Sequence, residues 1–145
     1  MASDPTLRRP KYVDIVEEEF GAALGAKPTA SSEKLSFFVA HKDKAGVPVP
    51  DIESWITRVE KALSDIGGGA TSMEVRGAWV GGPNGVVHET TTLVYTYAQA
   101  EAIEAKAAGL RELAWAYGTT TNQGEVGILL ENNDGDWFYS IPMPD

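Results

Sequence analysis

Cysteine is absent from this chain of 145 residues, which excludes disulfide staples and thiolate metal sites together. Histidine is nearly as scarce. With only His41 and His88, a histidine-held metal would need both, and no metal is expected. No apolar run approaches the roughly 20 residues that cross a bilayer, and the opening Met1-Ala2-Ser3-Asp4-Pro5 carries no apolar signal core. The chain therefore reads as a soluble, cytoplasmic protein with no membrane partner. Cations are few as well: 12 Lys and Arg stand against 21 Asp and Glu, a net charge of −9. That balance repels phosphate backbones, so nucleic acid is not an expected partner. Arg8, Arg9 and Lys11, beside Pro5 and Pro10, read as a solvated tail. Walker loops, dinucleotide fingerprints and nucleophile elbows are missing too, and no cofactor is expected.

What is present is ordinary globular material, 43% hydrophobic and 23% charged, in a length suited to one domain. Its centre is Thr71 to Tyr97, which reads as a long β-hairpin. Met73, Val75 and Trp79 share a face of one arm, Leu93, Tyr95 and Tyr97 share a face of the other, and Gly81-Gly82-Pro83-Asn84-Gly85 forms the turn. Ahead of it, Tyr12, Val16, Phe20 and Leu24 trace an amphipathic helix stopped at Gly25. Residues 1–33 read as tail, helix and linker, and residues 34–145 as one domain. Leu35, Phe37, Val39 and His41 alternate as a strand. Asp51 reads as the N-cap of a helix with Ile52, Trp55, Ile56, Val59, Leu63 and Ile66 on one stripe, ended by Gly67-Gly68-Gly69. After the hairpin, Ile103, Ala107, Leu110, Ala114 and Tyr117 mark a helix stopped at Gly118, with Gly109 weakening its middle. Val126, Ile128 and Leu130 mark the next strand. Trp137, Tyr139 and Ile141 follow the Asn132-Asn133-Asp134-Gly135 turn as a short last one.

From Leu35 the order is β-α-β-β-α-β with an added C-terminal strand. This predicts an α+β, ferredoxin-like sandwich with an antiparallel sheet ordered 4-1-3-2, two helices on one face, and an extra N-terminal helix. The other face is expected to carry Ser36, Phe38, Ala40, Arg76, Val80, His88, Thr90, Thr92, Val94 and Thr96. It is apolar enough to be covered, either by the N-terminal helix or by a second sheet in a homodimer.

Short motifs add a resemblance. Leu35-Ser36-Phe37-Phe38, Val47 to Trp55, Gly69-Ala70-Thr71, Gly77-x-Trp79, Gly85 to Glu89 and Leu93-Val94 resemble a family of small bacterial α+β proteins known only as a domain of unknown function. The likeness runs from Leu35 to Glu131. It implies a ferredoxin-like fold and no established activity. Members often look exported, whereas this chain has an extra helix and no signal sequence.

For chemistry, His41 and Glu89 are the candidate pair. Strand parity sends both toward the helices, and antiparallel neighbours would bring them to one edge of the core, with His41 as general base and Glu89 orienting it. His88-Glu89-Thr90 matches one half of a two-histidine phosphoesterase motif. Its partner is lacking, because His41-Lys42-Asp43 has no hydroxyl and faces the other way. Leu130 to Asp136 fails as a calcium loop, since Leu130 and Ile141 stand where ligands belong. Trp79, Tyr95 and Trp55 are candidate walls of an aromatic pocket for a small hydrophobic ligand, with Trp79 expected in the core. The leading expectation is a homodimeric, non-catalytic module that binds a ligand or partner. The alternatives are a cofactor-independent enzyme on a dimeric α+β barrel using the His41–Glu89 pair, and an acidic protein-interaction or inhibitor protein.

Overall fold

A computed structural model describes residues 11–27 and 33–145. They fall into two compact units, parted at residue 30. The first holds α1 (Lys11–Leu24), which stops where Gly25 takes a left-handed φ of 67°. Phe20 and Leu24, the last two members of its apolar stripe, are exposed.

The second unit runs β1 (Glu33–Ala40), α2 (Ile52–Gly67), β2 (Thr71–Val80), β3 (Val86–Ala98), α3 (Ala100–Thr120), β4 (Glu125–Asn132) and β5 (Gly135–Pro142). Its antiparallel sheet is ordered β2-β3-β1-β4-β5. This is the expected 4-1-3-2 arrangement with β5 added beside β4, a ferredoxin-like α+β sandwich. Among the described residues no helix is long and apolar enough to cross a membrane.

Both helices pack on one face. Trp55, Ile56, Val59, Leu63 and Ile66 of α2 meet Leu35, Phe37 and Val39 of β1, with Leu110, Ala114 and Tyr117 of α3 closing the core over Val126 and Ile128. Asp51 occupies the N-cap position of α2, yet its side chain caps nothing. It sits in the left-handed region at φ 55° while its carbonyl accepts from the Ser54 and Trp55 amides. Gly118 does not stop α3, which continues to Thr120. Its missing side chain serves close packing instead, because a Cβ there would collide with Met143 and Val126. The chain turns out of the helix at Asn122, φ 56°.

One expectation about the sheet is reversed. On β3 it is Thr92, Val94, Thr96 and Ala98 that are buried beneath the helices, so Glu89, Leu93, Tyr95 and Tyr97 lie on the opposite face. The register carries this across: Trp79 pairs with Val87 and Met73 with Leu93, which puts β2's apolar residues on the open face too. Space explains the choice. The C-terminus of α2 lies against β3 so closely that a Cβ on Gly67 would meet Thr96 Oγ1 and the Tyr97 carbonyl, and Thr96 Oγ1 donates to the Gly69 carbonyl at 2.5 Å. Short β-branched residues fit there and tyrosines do not. Gly67→Ala is expected to destabilise by about 1–3 kcal/mol, as overpacked cores do. The carbonyl belongs to the sheet and cannot step aside. Urea denaturation at wild-type stability would show that α2 has room the packing does not suggest.

Candidate active site

The open face is not flat. At the end where β1 stops at Ala40, a groove of about 750 Å³ opens between sheet and loop. All five strands contribute to its lining, and its walls are aromatic. Phe38 and Phe138 meet edge to face, 5.7 Å between ring centres, and Trp79 stands on the β2 side. Phe138 can lie there because position 127 is glycine, where a Cβ would strike its ring. One rim is the loop Lys42 to Gly46, which is held firmly. Asp43 Oδ1 accepts from the amides of Ala45 and Val47 at 2.8 and 2.9 Å. The Lys44 amide donates to the Asn122 carbonyl, and Gln123 Nε2 donates to the Lys42 carbonyl at 3.1 Å.

Tyr117 anchors the back of the groove. Its ring packs edge to face against Phe37 and Trp55, while its hydroxyl accepts from the Ala40 amide at 2.8 Å and donates to the Ala40 carbonyl at 3.2 Å. Burial pushes its pKa up to about 12, helped by the negative charge of Glu89 and opposed by the Ala40 hydrogen bond. It stays a neutral clamp on the end of β1 at any physiological pH.

Three carboxylates line the groove. Asp43 is committed to its own loop, and Glu125 Oε2 accepts from Ser140 Oγ at 2.5 Å. Glu89 has no hydrogen-bond or ion-pair partner among the described residues. Partial burial raises its carboxyl above the usual range, with the nearby Lys42 ammonium pulling it part of the way back. An uncommitted, partly desolvated carboxylate among aromatic walls is the arrangement that reactive and ligand-binding sites share.

His41 lies elsewhere. Its Nε2 is 2.7 Å from Thr92 Oγ1 and its Nδ1 is 3.9 Å from Glu74, in a smaller pocket between α2 and the helix side of β2. The proposed His41–Glu89 pair is therefore not formed, because the reversed parity of β3 turns Glu89 to the other face. His88 lines the groove and His41 does not, so the two histidines do not converge either. Of the candidate pocket aromatics, only Trp79 is in the groove. Tyr95 meets Tyr97 edge to face and carries Lys34 Nζ 4.4 Å over its ring, and Trp55 is in the core, 9% exposed. Trp79 is 52% exposed and not a core residue. Trp79→Ala is accordingly expected to cost about 1 kcal/mol of stability, well short of a core truncation. Thermal melting checks this. The residues that sequence reasoning missed are Phe138 and Lys42. Phe38 was legible as a bulky apolar side chain facing away from the helices.

No family model and no curated protein matches this chain. Solved structures do share its architecture. A phage SAM lyase in complex with S-methyl-5′-thioadenosine is similar over 80% of this chain and 93% of its own, at 17% identity and a TM-score of 0.56. A phage SAM lyase in the apo state is similar over 77% and 90%, at 18% identity and a TM-score of 0.53. A Bacillus cereus protein related to NIF3 aligns over 83% of this chain and 33% of its own, at 21% identity and a TM-score of 0.34. The first two likenesses are of fold. Both of those neighbours are lyases. The expectation of a module that performs no chemistry is corrected on this finding, and the interaction or inhibitor reading falls with it. With no matching family model, the resemblance to a domain of unknown function reduces to a small α+β domain.

Proposed function

We propose that the groove is an active site that cleaves a small adenosyl sulfonium such as S-adenosylmethionine, releasing S-methyl-5′-thioadenosine. The observation that carries this reading is Glu89, the one uncommitted carboxylate in a groove walled by Phe38, Trp79 and Phe138, on a fold shared with a phage SAM lyase. The volume falls in the range of small-molecule sites. Aromatic faces suit both an adenine ring and a sulfonium, the first by stacking and the second by its charge over the ring. The chemistry also suits a partly dry groove. When the carbon–sulfur bond to the amino-acid tail breaks, its electron pair goes to sulfur while the tail's own carboxylate oxygen bonds to that carbon and closes a lactone as the second product. The sulfonium and carboxylate charges are both consumed, so water that stabilised them is better excluded. In this reading Glu89 holds a cationic group of the substrate, and Tyr117 fixes the strand end beside it.

The test is incubation of purified protein with S-adenosylmethionine, following S-methyl-5′-thioadenosine by chromatography against a protein-free blank. Release above the blank is the expected result. A rate equal to the blank, with no heat of binding, rejects the reading.

The reading takes residues 34–145 as the functional domain, in a cytoplasmic setting, with residues 1–33 an appendage. It also retains a homodimer, supported by the exposed aromatics of edge strand β5, where Trp137, Phe138 and Tyr139 lie uncovered. Analytical ultracentrifugation decides that point.

A further inference from the structure

We propose that Lys42 makes the groove selective for a zwitterionic ligand, taking the carboxylate of an amino-acid tail while Glu89 takes a cationic group on the same molecule. This inference rests on the reading of the groove as an adenosyl sulfonium site and adds the part of the substrate that site selects.

Lys42 and Glu89 line one groove and their charges act on each other, yet they form no ion pair among the described residues. The chain keeps them apart. Lys42 leaves β1 on the rim loop, whose position is fixed through Asp43, Asn122 and Gln123, whereas Glu89 rises from β3. A protein of net charge −9 holds this ammonium next to its one uncommitted groove carboxylate. Two opposite charges that line one groove without pairing complement a ligand that carries both charges in the reverse sense. A neutral nucleoside leaves both without a partner. The two contacts also differ in kind: the carboxylate of Glu89 is partly desolvated, while the ammonium of Lys42 is exposed and free to swing onto a ligand.

Four ligands test this by calorimetry: S-adenosylmethionine, its decarboxylated analogue, S-adenosylhomocysteine and S-methyl-5′-thioadenosine. The wild type is expected to bind S-adenosylmethionine at least about tenfold more tightly than the decarboxylated analogue, the worth of one charge-assisted hydrogen bond. Lys42→Met should weaken S-adenosylmethionine and S-adenosylhomocysteine by about tenfold and leave the other two within about twofold, with Lys42→Arg restoring the selectivity. Neither variant threatens the fold, because Gln123 is bonded to the Lys42 carbonyl and not to its side chain. Equal weakening of all four ligands by Lys42→Met, or tight binding of the decarboxylated analogue by the wild type, overturns the selectivity and leaves the active-site reading standing. Failure of all four to bind the wild type overturns both.

Discussion

Tyr117→Ala is expected to remove about 3–5 kcal/mol from the folding free energy, as truncation of a large buried aromatic does. Tyr117 is 1% exposed and heads the fully buried side chains by volume. Its ring joins all the layers of the domain. It comes from α3, meets Phe37 of the sheet at 6.2 Å and Trp55 of α2 at 5.7 Å, both edge to face. Against a total stability of about 5–15 kcal/mol for a domain, the loss is a large fraction, and urea denaturation will show it as a midpoint moved far toward water. Tyr117→Phe separates the hydroxyl from the ring. It keeps the packing and removes both bonds to Ala40, leaving that amide without its partner at a cost of about 1–3 kcal/mol. A Tyr117→Phe midpoint equal to wild type would show that water reaches Ala40 and that the hydroxyl does not hold the end of β1.

The skeleton of the domain was legible because its signals are local. The stripe of α2 repeats at helical spacing, the hairpin announces its turn at Gly81 to Gly85, and Gly25 ends α1. The faces of β3 were not legible, because both are plausible interiors. Leu93, Tyr95 and Tyr97 are bulky and Thr92, Val94 and Thr96 are small, and burial by size alone favours the first set. The deciding fact is the close approach of Gly67 to Thr96, a contact 29 residues apart in sequence that no strand pattern contains. One misassigned parity then moved Glu89 to the helix side and created a false partner for His41. The groove was hidden for a related reason. Phe38, Lys42, Trp79, Glu89 and Phe138 come from four strands and a loop, so no short motif spans them. Gly118 shows the same limit, since its role depends on Met143 folding back across α3.

Glu89→Gln is expected to lower turnover of an adenosyl sulfonium by about 10²–10³-fold, the scale on which removal of one preorganised electrostatic contact acts. The isosteric amide keeps the shape of the groove and removes only the charge. Stability should move the other way. Burial raises the folded-state pKa of Glu89 above its ordinary value, so the stabilising share of this group is present below the ordinary carboxylate pKa and is lost as pH rises through the raised one. At pH 7 the ionised carboxylate is therefore a burden on the fold, and the variant should melt at the same temperature as wild type or higher. Activity in the wild type should follow the opposite course, falling as pH drops through that raised pKa because the ionised form does the work. Loss of activity together with gained or unchanged stability is the mark of a residue kept for function at the expense of folding. A Glu89→Gln protein that turns over normally, or one that loses activity only because it melts below the assay temperature, removes Glu89 from the site.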